Sequence, residues 1–226
     1  MSVDSPAPAP AVLVMARAPR RGEVLRALEP MIGPDGCVAL QSLLIVLALE
    51  WAKTVAKDNA LVYVAHDPPD TSREMRALTG PDVTLFPQNG EGIAMRLADG
   101  ASRVYAHHDG PLLVVWPGLP RLRTAHAVAA LGDLQAGCDV VLGPAVDGGL
   151  YLIGMSRPLP RLFALPEQAW RSPDVMAVGI AAARDAGLEI GILRVERALH
   201  RPGDVRAALA DPLLPQSVAQ VLRRAA

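Results

Sequence analysis

The sequence predicts an α/β domain of three layers, α/β/α, whose sheet is mostly parallel with one antiparallel interruption. Three observations predict it. Short apolar runs alternate with helix-patterned segments along nearly all of the 226 residues. The runs have no polar face, as expected of strands covered on both sides. The step between the runs at 139–145 and 150–155 is too short for a parallel crossover, so one strand must run against the others.

Taken in order, residues 1–10 are rich in Ser, Pro and Ala and read as a disordered tail, with a single domain over 11–226. AVLVMA (11–16) is a buried strand closed by the loop APRRG (18–22). A helix runs from about Pro34 to Val55, with Asp35 placed to favour its N-terminus. ALVYVAH (60–66) is a strand, SREMRALTG (72–80) a helix stopped by Gly80, and VTLFPQ (83–88) a short strand. Residues 93–108 have helical periodicity, PLLVVW (111–116) is a strand, and 123–134 is a helix with Thr124 as its candidate cap. Strands follow at 139–145 and 150–155, then a proline-rich loop at 157–173. A helix at 173–187, a strand at 188–196 and helices at 202–211 and 217–226 complete the chain.

Composition excludes several classes. With 51% hydrophobic residues the chain can fill a core, which excludes general disorder. A net charge of −1 and 4% aromatics argue against nucleic acid held by bulk charge or by base stacking. Two cysteines, Cys37 and Cys138, make neither a disulfide scaffold nor a zinc site and read as structural thiols. The longest apolar run, Leu43–Leu49, falls short of the ~20 residues of a membrane span, and no basic segment opens a signal peptide. The expected location is cytoplasmic.

Three segments carry possible chemistry. In the loop after the first strand, Arg17, Arg20 and Arg21 can face a phosphate, and Gly22 permits close backbone approach. The same residues equally describe a solvated basic loop. In GPAVDGGLYLIG (143–154), Asp147 precedes Gly148 and Gly149. It reads either as a carboxylate for an acceptor hydroxyl or a metal, or as the turn-forming Asp of a tight glycine turn. The loop before 93–108 offers a helix start, with Arg96 in its first turns, to an anion. His107, His108 and Asp109 read as a surface loop, and His126 as a packing or surface residue.

Together these segments resemble the bacterial GT-A-like glycosyltransferase family also called selenodomain-associated transferase 1. Its opening pattern A-K-A-P-x-x-G-x-V-K-T-R-L is similar to Ala16, Ala18, Pro19, Gly22, Val24 and Leu28. Its Q-G-x-G-D-L-G-E-R-M resembles Gln88 to Leu97, with Gln88 and Arg96 kept. Its G-P-A-x-D-G-G-Y-Y-L-I-G is nearly intact at 143–154, and its W-S-T-P is similar to Trp170, Ser172 and Pro173. The resemblance spans about residues 11–210 and implies a nucleotide-diphospho-sugar transferase fold. It also implies a nucleotide or nucleotide-sugar partner, a magnesium or manganese ion on strand-end aspartates, and a possible homo-oligomer, with neither nucleic acid nor membrane as partner. The implied phosphate-binding residues are Arg17, Arg20, Arg21, Gly22, Arg26 and Arg96. Asp147 is the implied catalytic residue, and Gly148, Gly149, Trp116 and Ser172 line the acceptor pocket.

The chain departs from that pattern where the chemistry is expected. The family K-T-R becomes Leu25, Arg26 and Ala27. The G-[ST]-D-[CS]-P-D-L-P segment aligns to Trp116–Arg123, so its aspartates fall on Gly118 and Arg121. The D-V-D-T-P-E-D segment aligns to Ala198–Asp204, where Ala198 and His200 replace aspartates and Asp204 remains. In the middle motif Gly92 and Met95 replace Asp and Glu. Asp147 and His200 are then the residual metal candidates, with His200 a poor magnesium ligand. Two readings follow. One is a glycosyl- or nucleotidyltransferase-like protein with a nucleotide-activated donor. The other is an inactive family member serving as a small-molecule-binding or protein-interaction scaffold, with the apolar helix around Leu43–Leu49 as its contact.

Overall fold

The computed structural model describes residues 8–165, 167–170, 172 and 174–223. Residues 1–7 of the expected tail, Pro173 of the W-S-T-P resemblance, and the end of the last expected helix at 224–226 lie outside them. Seven strands form one sheet: β1 (Ala11–Arg17), β2 (Val62–Asp67), β3 (Thr84–Pro87), β4 (Leu112–Val115), β5 (Val140–Pro144), β6 (Leu150–Met155) and β7 (Ile190–Ile192). Their spatial order is β3-β2-β1-β4-β6-β5-β7. Only β6 runs against its neighbours, β4 and β5, which is the antiparallel interruption expected from the short step after residue 145.

Strand alternation builds the three layers. In β1, Val12, Val14 and Ala16 enter one core, while Ala11, Leu13 and Met15 enter the other. The same split recurs in β4, where Leu113 and Val115 face one way and Leu112 and Val114 the other. On the first face lie α1 (Glu29–Ala56), α2 (Ser72–Thr79) and α4 (Thr124–Gln135). On the second lie α3 (Gly92–Tyr105), the four-residue α5 (Glu167–Trp170) and α6 (Val175–Asp185). A third cluster joins the start of α1 to α7 (Pro202–Ala210) and α8 (Gln216–Arg223).

The main helix begins where expected, and several other boundaries differ. Gly33 (φ 66°, ψ 167°) breaks α1, so its continuous part starts at Pro34, a favoured first helical residue. Asp35 then pairs with Arg21 at 3.0 Å. Thr124 caps nothing: it is the first residue of α4, and the ring Nδ1 of His126 accepts the Arg123 N–H at 2.9 Å. The 157–173 loop contains a 3-10 turn (Pro160–Phe163) as well as α5. The expected strand 188–196 shortens to three residues. In the 107–109 turn, His107 and Asp109 are exposed but His108 is buried against the Pro111 carbonyl.

The segment Arg26–Ala56 is long and apolar enough to cross a membrane, contrary to the sequence expectation. Twelve of its side chains from Ile32 to Ala56 are buried against the sheet and α8, as in a core helix, while Leu43, Val46 and Leu47 are only half-buried. Cys37 is buried and Cys138 half-buried, and burial pushes both thiols up, as suits structural rather than nucleophilic sulfur.

Candidate functional site

The carboxyl ends of β1, β2, β4, β5 and β7 share one edge of the sheet, where ligands collect in open α/β folds. Three chain segments meet above β4. Gly118 follows that strand, Asp147 lies in the β5–β6 turn, and His200 precedes α7. His200 Nδ1 lies 2.7 Å from Asp147 Oδ2. An ionised carboxylate only accepts, so Nδ1 is the donor of this bond, and the ring's other nitrogen, Nε2, lies toward Gly118. A Cβ on Gly118 would stand 3.2 Å from that Nε2 and 3.4 Å from the Ala198 Cβ. The imidazole therefore occupies the space a side chain at 118 would need.

The turn reading of Asp147 is the one its contacts display. Its Oδ1 accepts the Gly149 N–H at 3.1 Å, while the Ala145 N–H donates to the Gly149 carbonyl at 2.8 Å, a tight turn needing Gly148 at φ 90°. Its Oδ2 is meanwhile held by a residue 53 positions away. Burial pushes this carboxyl up, but the hydrogen bonds from His200 and Gly149 and the nearby Arg201 charge outweigh it, leaving it below the usual carboxylate range. Removing the ring in His200→Ala raises the Asp147 titration, followed by NMR. In the native protein the lowered carboxyl adds stability above its unfolded pKa of about 3.9, lost as pH falls through the lower folded value. The variant loses that acid-side margin, seen as a smaller difference in Tm between neutral and acid pH.

The donor set does not fit a hard divalent cation. No group of three His, Cys, Asp or Glu side chains converges among the described residues. Gly118 supplies no ligand atom, and each Asp147 oxygen already has a proton donor.

The expected phosphate residues scatter. Arg20 is bound by Glu74 (2.7 and 3.1 Å) and Asp70 (3.2 Å), and it holds the Glu74 carboxyl below its ordinary range. Arg21 turns to Asp35. Arg96 reaches Asp67 at 3.1 Å and the Gly90 carbonyl at 3.2 Å. Arg17 stays half-exposed with Asp67 and Glu23 only at 4.0 Å, and exposed Arg26 makes no ion pair among the described residues. Gly22 adopts φ 72° with open space around it, so its turn, rather than a close approach, requires glycine. The α3 N-terminus is already occupied: the Ile93 N–H donates to Glu167 Oε2 at 2.8 Å, and Gly92 leaves room for that carboxylate. Trp116 is half-buried on the α3 face of the core. Ser172 accepts the Asp174 N–H at 3.0 Å just before α6 and makes no hydrogen bond to Asp147 among the described residues.

Sequence reasoning missed two groups. Asp67 gathers Arg96 and Arg17 at the end of β2, and the signal for it was a carboxylate directly after a strand, before Pro68. Glu196 accepts from the buried His126 Nε2 at 2.9 Å and pairs with Arg194 at 2.6 Å, and no local pattern marks it. Retained Asp204 is buried. It accepts the Arg201 N–H (2.9 Å) and His200 N–H (3.3 Å) and pairs with Arg197 (3.0 Å).

The sequence matches the family described as "Uncharacterized protein conserved in bacteria (DUF2064)" over residues 49–168, more than half of the chain. No curated protein matches it. Among solved structures, one from Desulfovibrio desulfuricans G20 described as a "putative nucleotide-diphospho-sugar transferase" is similar, with TM-score 0.83 and 23% identity over 96% of this chain and 94% of that one. CMP:2-keto-3-deoxy-manno-octonic acid synthetase complexed with CTP gives TM-score 0.56 at 16% identity, covering 89% and 97%. A 4-diphosphocytidyl-2C-methyl-D-erythritol synthase gives 0.52 at 14%, covering 88% and 96%. At these identities the likeness shows the fold, that of the nucleotide-diphospho-sugar transferases.

Proposed function

The chain belongs to the DUF2064 family of bacterial proteins, and from that membership we propose that it is a transferase-like protein that binds a nucleotide-activated donor at the carboxyl edge of its sheet without a resident divalent metal. The observation that carries this is the Asp147–His200 pair at 2.7 Å, standing beside a glycine at the end of β4. Asp147 holds the imidazole in one tautomer. The His200 side chain is 48% exposed, so an incoming hydroxyl can approach the imidazole. As the acceptor oxygen bonds to the transferred group, its proton passes to Nε2 and the nucleotide leaves with its phosphate. We assign the balancing of the departing charge to Arg17 and Arg26, two of the guanidiniums without a tight carboxylate partner among the described residues.

A second reading has its own support. Arg20, Arg21, Arg96 and the α3 N-terminus are each satisfied by the protein's own carboxylates, as in a scaffold that has stopped binding phosphate. A thermal-shift screen of nucleotides and nucleotide sugars, with EDTA or with magnesium or manganese, separates the two. We expect one donor class to raise Tm equally with and without metal, by about 2.7 kcal/mol of stability at a hundredfold excess over Kd. We also expect the rise to disappear in His200→Ala. A rise that requires metal refutes the metal-free site, and no rise with any donor favours the scaffold.

A further inference from the structure

We propose that a cleft flanking the candidate site is a separate binding site for a small phosphoryl anion, free phosphate or a phosphorylated metabolite. The cleft lies between the β4–α4 loop, the segment after β7 and the α7–α8 corner, and has a volume of about 180 Å³. A single water needs about 10–15 Å³ of such space, so the cleft has room for a phosphoryl group with part of its hydration. Neither Asp147 nor His200 lines it, and the proposal does not depend on the nucleotide reading.

Four guanidiniums line the cleft: Arg121, Arg123, Arg194 and Arg197. An ordinary belt of surface ion pairs would spend them on carboxylates. Here the carboxylates are too few and already shared. Arg121 pairs with Asp211 at 2.6 Å, Arg194 with Glu196 at 2.6 Å, and Arg197 with Asp204, behind the lining, at 3.0 Å. Glu196 also accepts a hydrogen bond from His126 Nε2, and Asp204 accepts from two backbone N–H groups. Arg123 has no ion pair among the described residues, so four guanidiniums face three carboxylates. Each guanidinium has five N–H donors in a planar fork that matches phosphate oxygens, and each pairing above uses only part of that fork. Arg123 also stands at the start of the twelve-residue α4, whose N-terminal dipole adds to the positive potential.

Titration with inorganic phosphate by calorimetry, at ionic strength balanced with chloride, tests the site. Arg123 and Arg194 are both well exposed, so Arg123→Gln and Arg194→Gln do not unpick the core. Arg73→Gln, on exposed α2, removes the same charge away from the cleft. We expect saturable binding, about tenfold weaker in each of the first two variants and unchanged in the third, the loss of charge-assisted hydrogen bonds. Non-saturating heats, or an equal loss in all three variants, overturn the proposal. Parallel titrations with glycerol 3-phosphate identify an ester as the natural class if it binds more tightly, and free phosphate if it does not.

Discussion

Asp204→Ala lowers stability by about 2–3 kcal/mol, seen as a lower urea midpoint at unchanged slope. The carboxylate is buried and serves three donors at once: the Arg197 guanidinium and the backbone N–H groups of Arg201 and His200. Losing this half of the capping box alone costs about 1 kcal/mol, because it strips the acceptor from the Arg201 and His200 N–H groups just before α7. Stranding Arg197 adds to this, but its side chain is 44% exposed, so solvent recovers part of the cost and the upper figure for a broken buried pair is not reached. Asp204→Asn keeps an oxygen for the Arg201 N–H and loses less, about 1 kcal/mol. An alanine variant within about 0.5 kcal/mol of the native protein would show that the segment carrying His200 is held by something else. The residue aligns with a carboxylate of the family pattern, yet its partners in this chain make it a structural anchor for the site.

The double substitution Gly118→Asp with His200→Asp gives the protein a manganese-dependent thermal shift that the native chain lacks. In the native arrangement the imidazole fills the space beside Gly118, with 3.2 Å from Nε2 to where a Cβ would stand. Removing the ring and adding a carboxylate at each position brings three carboxylates, with Asp147, to the end of β4. Hard cations require such oxygen ligands. Without metal the like charges repel, so the variant is less stable than the native protein. With manganese at about a hundredfold over Kd, about 2.7 kcal/mol returns. Gly118→Asp alone does not bind metal, because His200 still holds Asp147 and blocks the new side chain. Equal metal shifts in the native protein and the double variant would refute the expectation that His200 beside Gly118 keeps a hard cation out.

The strands and most helices were legible because burial on both faces leaves a local trace. In β1 every residue from Ala11 to Ala16 is buried, and the run reads as unbroken apolar sequence. The inverted strand was legible from chain length alone, since few residues separate Pro144 from Leu150. The short α5 was not, because four residues carry no periodicity. At the site, Asp147 and its glycines were visible as a turn, and their role as His200's partner was not.

What the sequence by itself determined is the layered sheet, its one reversed strand, and the glycine turn after Asp147. These follow from side-chain size and apolar spacing over a few residues. Only the tertiary structure decided which charges are spoken for. Arg20 meets Glu74 across 54 residues, Ile93 meets Glu167 across 74, and Asp147 meets His200 across 53. A guanidinium in a loop has the same local sequence whether it faces a phosphate or a carboxylate. Ion pairing falls off within a few ångströms, so the partner is set by which distant segment the topology brings alongside.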